Sequence, residues 1–191
     1  NAWQLMQNST LNDVVVAVID TGIFQSHPDL KDQLTSDGYD FISDASNALD
    51  GDGIDANPED PGDLTSPGGG SSWHGTHVAG TVAAQTDNAL GVAGVAPNTK
   101  IMNLRTLGRY GGTTFDISQA ILYAAGLSNI SNRLPSQTAD VINMSLGGSG
   151  YDRAFDSVTQ QAIASGVIVV AAAGNESTSQ FSYPAAFANV I

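Results

Sequence analysis

Cysteine is absent from the 191 residues, which excludes a disulfide framework, a thiolate metal site and a thiol nucleophile. Basic residues are scarce as well. Six Lys plus Arg stand against 19 Asp plus Glu, giving a formal net charge of −13 and a pI near 4.1. Such a surface has no nonspecific grip on phosphate backbones or anionic lipid, so neither nucleic acid nor a membrane is expected as a partner. No apolar run approaches the ~18 residues of a spanning helix, and the opening Asn1-Ala2-Trp3-Gln4-Leu5 lacks the basic-then-apolar layout of a signal peptide. The chain as given is therefore expected to be soluble, and either mature or trimmed. Hydrophobic residues make up 41% and charged ones only 13%, a balance that favours one compact domain over disorder.

What is present is a series of short apolar runs. Residues 14–19 (VVVAVI) are rich in β-branched side chains, too few for a buried helix, and closed by Asp20-Thr21-Gly22, which predicts a buried strand. Residues 141–144 and 167–173 read the same way, and 100–104 does so more weakly. Helical patterns fall between them at 74–85, 114–125 and 151–165. Continuous apolar strands joined by helices predict an α/β fold: a parallel β-sheet with helices on both faces, with ligands bound beyond the carboxyl ends of the strands. Neither an internal repeat nor an interdomain linker interrupts residues 1–191.

Three polar residues fall where that topology puts a site: Asp20 after the first strand, His74 opening a helix, and Asn175 after the last strand. A carboxylate can fix the tautomer of an imidazole, an imidazole can accept a hydroxyl proton, and an amide can donate to a developing oxyanion. Taken singly, an Asp after a strand is more often a turn residue or helix cap, and an Asn after Gly is usually a turn former. Their flanking residues are more specific. Val16-Ala17-Val18-Ile19-Asp20-Thr21-Gly22-Ile23, His74-Gly75-Thr76-His77-Val78-Ala79-Gly80, Ile142-Asn143-Met144-Ser145-Leu146-Gly147-Gly148 and Ala171-Ala172-Ala173-Gly174-Asn175-Glu176 together resemble the subtilisin-like serine proteases, in that family's order and over essentially the whole chain.

The resemblance implies a three-layer α/β/α domain and a secreted endopeptidase in which Asp20 orients His74, His74 acts as general base and then general acid, and Asn175 donates to the oxyanion. It also implies a peptide cleft between Ser145, Leu146 and Gly147 on one edge and Leu107, Gly108, Arg109, Tyr110, Gly111 and Gly112 on the other. Ala172, Ala173 and Gly174 would wall the primary specificity pocket, leaving room for a sizeable apolar side chain, with Glu176 near the rim able to favour a basic one. Peptide or protein substrates follow as partners.

The family's nucleophile block, of Gly-Thr-Ser-Met-Ala type, does not occur in the chain, and no internal serine sits in a G-x-S-x-G elbow. The domain is therefore expected to be incomplete at both ends: a segment would precede the helix resembling residues 2–6, and a C-terminal remainder would bring the serine. Alone, the chain is expected to be almost inactive; an inactive peptide-binding fragment or pseudoenzyme is the alternative.

His77, three residues after His74, raises a zinc pair as a rival. With no H-E-x-x-H pattern and only His27 or a distant carboxylate as a third ligand, His77 reads better as a packed helix residue. Calcium is the expected ion. By the resemblance, Asp29 and the side chain of Asn88 join carbonyls of Gln85, Leu90 and Val92 in one oxygen-lined site. A second site is expected in the acidic loop, where no basic residue intervenes between Lys31 and Lys100 and Asp50, Asp52, Asp60 and Asp63 are the candidate ligands. This is not an EF-hand, because Ile54 and Asp55 stand where that motif needs an oxygen side chain and a glycine.

Overall fold

A computed structural model describes residues 14–63 and 71–191. The expected helix at residues 2–6 lies outside them. Among the described residues five strands form one sheet: β1 (Val15–Asp20), β2 (Tyr39–Asp40), β3 (Lys100–Arg105), β4 (Val141–Met144) and β5 (Ile168–Ala171), in the order β2-β3-β1-β4-β5 with every pairing parallel. The described residues also form four helices: α1 (Ala45–Ala48), α2 (His74–Ala83), α3 (Thr114–Ala124) and α4 (Arg153–Ala164).

The central strand β1 is buried along its whole length, and its alternate residues serve two cores. Val15, Ala17 and Ile19 face one way and pack with Ile117 and Ile121 of α3 and Phe155 and Ala162 of α4. Val16 and Val18 face the other way, with Ala79 and Ala83 of α2, Leu30 and Ile101. Helices thus cover both faces, as the run of apolar residues without alternation requires.

Local chemistry sets the element ends. The helix read over 151–165 begins at Arg153 because the Asp152 carboxylate accepts from the amides of Ala154 (2.8 Å) and Phe155 (3.1 Å), an N-cap that satisfies two free donors. The helix read over 74–85 ends at Ala83, where Ala84 turns to extended backbone. The strand read over 167–173 closes at Ala171, and Ala172 and Ala173 go on to line a cavity. The sheet's outer strand β2, the short helix α1 and a 3-10 turn at Lys31–Gln33 carry no apolar run and were not foreseen.

All the chemically interesting turns leave the same edge. Asp20, Arg105, Ser145 and Ala172 each lie at or just beyond a strand's carboxyl end. This is where parallel sheets place ligands.

Candidate active site

Asp20 ends β1 and is 1% exposed, while His74 opens α2. The imidazole Nδ1 lies 2.8 Å from Asp20 Oδ1 and 3.0 Å from Oδ2. The same carboxylate accepts from the amide of Thr21 at 2.7 Å. Burial pushes the Asp20 carboxyl above its ordinary value, while its bonds to His74 and Thr21 pull it back toward ionisation. About half of the His74 side chain is exposed, and it faces a cleft of about 620 Å³. With Nδ1 committed to Asp20, Nε2 on the far side of the ring is left for proton transfer.

The approach of α2 to β1 depends on Gly75. A Cβ there would meet the Gly22 carbonyl oxygen at 2.2 Å and Asp20 Cβ at 3.1 Å. Trp73, at the N-cap position, has left-handed backbone (φ 50°) and gives α2 no side-chain cap. The Gly75 amide instead donates to Thr21 Oγ1 at 3.0 Å, and that hydroxyl donates to Asp60 Oδ2 at 3.0 Å. Sequence reading assigned no role to Thr21 and gave Asp60 to a metal.

The cleft beside His74 runs between Leu107, Gly108, Arg109, Tyr110, Gly111 and Gly112 on one side and Ser145, Leu146 and Gly147 on the other. Residues 145–147 also border a second cavity, of about 430 Å³, together with Ala172, Ala173, Gly174, Asn175 and Glu176. Asn175 is exposed there, and its backbone N–H donates to Glu176 Oε2 at 2.8 Å. The Glu176 carboxylate therefore lies in the cavity itself, folded against Gly174.

Two sets of metal candidates behave differently. Asp29, Gln85, Asn88 and Val92 come together: Asp29 accepts from Asn88 Nδ2 (2.7 Å) and the Val92 amide (3.0 Å), and its carbonyl accepts from the Gln85 amide (3.1 Å). The Asn88 and Val92 bonds hold the Asp29 carboxyl below its usual range. Gly91 (φ 45°) closes the loop over this carboxylate, and a Cβ at that position would meet Asp29 Oδ2 at 2.2 Å. Val92 also presents its N–H to Asp29, and Leu90 donates its N–H to Asn88 Oδ1.

The acidic-loop set is not brought together. Asp50 pairs with the Arg105 guanidinium, Asp60 accepts from Thr21 and the Gly62 amide, and Asp63 accepts from Ser71 and Ser72, while Asp52 is exposed. Each buried or half-buried carboxylate has its own partner, while burial, with Asp63 nearby, still pushes the Asp60 carboxyl above its ordinary value. Among the described residues no three His, Cys, Asp or Glu side chains form a group able to hold a metal. His77 is exposed on α2, not packed as expected.

The sequence pattern that defines the Subtilase family matches residues 12–191. An extracellular protease of Xanthomonas campestris pv. campestris is 46% identical over 200 residues, covering 100% of this chain and 34% of its own length. Thermitase of Thermoactinomyces vulgaris is 34% identical over 191 residues, covering 100% of this chain and 56% of its own. A solved structure of proteases from Pseudoalteromonas arctica superposes with a TM-score of 0.89 at 45% identity, over 97% of this chain and 57% of that one. The chain thus spans between about a third and three-fifths of the length of these three relatives. With the Asp20–His74 pair at the carboxyl edge of the sheet and the family pattern running from residue 12 to residue 191, this chain belongs to the subtilase family of serine proteases.

Proposed function

We propose that this chain is the Asp- and His-bearing part of a secreted endopeptidase whose nucleophilic serine lies outside the 191 residues. The 2.8 Å bond from His74 Nδ1 to buried Asp20, beside an open cleft, is the observation that carries this reading. An extended peptide lies between the edges at Gly108 to Gly112 and Ser145 to Gly147. His74 Nε2 takes the serine proton as the serine oxygen bonds to the scissile carbonyl carbon, and the resulting oxyanion accepts from the Asn175 side chain. His74 then returns the proton to the departing amine, leaving an acyl-enzyme. A water, deprotonated by His74 in turn, releases the acid.

Small, uncharged walls at Ala172, Ala173 and Gly174 leave the specificity cavity room for a sizeable apolar side chain, while Glu176 favours a basic one. Secretion is supported by the names of the Xanthomonas relative and of an extracellular basic protease from Dichelobacter nodosus. In the longer protein, new peptide ends should appear on a denatured protein substrate, and a serine-directed inhibitor should abolish them. Hydrolysis that persists fully after serine blockade would remove the proposal.

Calcium suits the Asp29 loop better than the dispersed acidic loop: Asp29 Oδ1 and Gln85 Oε1 both face the Asn88 NH₂ group, and a flip of that amide would bring the Asn88 oxygen to the same point. Asp29, Gln85 and Asn88 would hold the ion with carbonyls of the same loop, and the ion would supply a fixed charge that ties the loop to residues 27–30. Removing calcium with a chelator should lower the thermal midpoint of the longer protein, since a ligand at ~100 times its Kd stabilises by about 2.7 kcal/mol. Asp29→Asn should abolish that dependence and Asp52→Asn should leave it intact. Equal midpoints with and without calcium would remove this assignment.

A further inference from the structure

We infer that Asp60, acting through the Thr21 hydroxyl, is a positioning residue for the Asp20–His74 pair. The inference rests on the triad reading above and deepens it.

The starting point is the N-terminus of α2. The first amides of any helix lack partners inside it and are normally met by the side chain at the N-cap. Trp73 gives no such bond, and the Gly75 amide is met across 54 residues by Thr21 Oγ1. Thr21 follows Asp20 directly, and its own amide donates to the Asp20 carboxylate. One residue therefore caps the helix that carries His74 and holds the carboxylate that orients it.

A hydroxyl has one proton to donate and lone pairs to accept with. For Thr21 Oγ1 to receive the Gly75 N–H, its proton is best directed elsewhere. Asp60 Oδ2 takes that proton at 3.0 Å. Asp60 is 3% exposed, and its other oxygen is held by the Gly62 amide at 2.8 Å. The loop that presents it is anchored by Asn103 Nδ2 donating to the Pro58 carbonyl at 2.7 Å, and the turn that carries Thr21 is held by Arg105 Nε donating to the Thr21 carbonyl at 3.3 Å. The chain of bonds Gly75 to Thr21 to Asp60 has one consistent direction.

An asparagine at position 60 would break that direction. With its oxygen kept on the Gly62 amide, its NH₂ group would face Thr21 Oγ1, so the hydroxyl proton would lose its acceptor and have to turn away from position 60, disturbing the geometry that receives the Gly75 N–H. The first turn of α2 would lose its outside cap, and the His74 ring would lose register with Asp20. A displacement of roughly 1 Å in such a site costs on the order of 10²-fold in rate.

The test uses the longer serine-containing protease, with kcat expressed per site titrated by a burst reagent, so that misfolded molecules drop out of the measurement. Thr21→Val and Asp60→Asn should each lower kcat by ~10- to 100-fold with KM changed by no more than about twofold. Thr21→Ser, which keeps the hydroxyl, should restore kcat to within about threefold of the parent, and T21V/D60N should be no slower than T21V alone. If Thr21→Val does not fold, Asp60→Asn and Thr21→Ser carry the same comparison. A kcat per titrated site within about twofold of the parent in Asp60→Asn overturns the inference, as does a multiplicative loss in the double variant. His74→Ala separates the two levels: if it is inactive while Asp60→Asn is unaffected, only the positioning role falls, whereas a fully active His74→Ala removes the triad reading itself.

Discussion

His74→Ala in the longer protease is expected to lower kcat by about 10⁶-fold while KM moves only a few-fold, the size of effect that loss of the base has in the subtilisin triad. Asp20→Asn should cost less, on the order of 10⁴-fold. The physical difference lies in what each residue does. In the proposed mechanism His74 moves the proton; without it the attacking hydroxyl stays protonated and the departing amine receives no proton. Asp20 only holds Nδ1 and stabilises the imidazolium, across bonds of 2.8 and 3.0 Å. An asparagine there can present an N–H to Nδ1 and so favour the wrong tautomer. Steady-state kinetics on a chromogenic peptide, with the folded fraction checked by circular dichroism, measures both variants. A His74→Ala protein that retains more than about a tenth of the parent kcat contradicts the assignment of the base.

Arg105→Met is expected to give the largest loss of stability. The guanidinium is 1% exposed and is shared among the Asp40 carboxylate, the Asp50 carboxylate, the Ala48 carbonyl and the Thr21 carbonyl. It is thereby the tie between β3, the end of α1, the acidic loop and the turn after Asp20. Removing one member of a buried charge cluster leaves uncompensated charge, at a cost of about 3 to 5 kcal/mol. Scanning calorimetry should show the midpoint fall by on the order of 10 °C. Arg105→Lys should recover only part of this, because an ammonium cannot reach four acceptors in the guanidinium's planar arrangement.

The pH dependence of that loss has a sign. Burial pushes the Asp40 carboxyl up to about 7, against the pull of Arg105. A carboxyl raised above its unfolded value of about 4 contributes stability that is fully present below that value and lost as pH rises through the folded one. Without Arg105 the folded value climbs further. The deficit of Arg105→Met should therefore be smallest near pH 4 and grow toward neutrality. A variant with the parent's midpoint at neutral pH would show that the cluster contributes nothing net.

The features most legible in the sequence were those that obey a short-range rule. The run VVVAVI is buried on both faces because nothing polar interrupts it, and β1 follows from that alone. The helix over residues 114–124 was read to within a residue, because its Ile117, Ile121 and Ala124 recur at helical spacing. Strand β2 escaped because a two-residue pairing at a sheet edge leaves no periodicity. The blocks around Asp20 and His74 pointed to a pair of residues 54 apart that the structure joins directly.

The acidic loop shows where such reading stops. Its carboxylates are dense along the chain, and density suggested a shared ion. Direction in space decides otherwise: Asp50 turns inward to an arginine 55 residues away, Asp60 to a threonine 39 residues back, and Asp63 to the serines that follow it. Nothing local to those aspartates encodes partners at that distance. Thr21 was hidden differently, standing inside a recognised block whose chemistry drew attention to Asp20. The absent N-cap at Trp73 is visible only once the helix start is seen.

The central claim is that His74 serves a serine carried beyond residue 191. Labelling the longer protein with a fluorophosphonate, followed by mass spectrometry of the intact protein and of its peptides, tests this most directly. The expected result is one adduct per molecule, on a serine outside these 191 residues, formed in the parent and lost in His74→Ala. An adduct on a serine within the 191 residues, or a folded full-length protein that takes no label, would contradict it and leave the chain as a peptide-binding relative of the proteases.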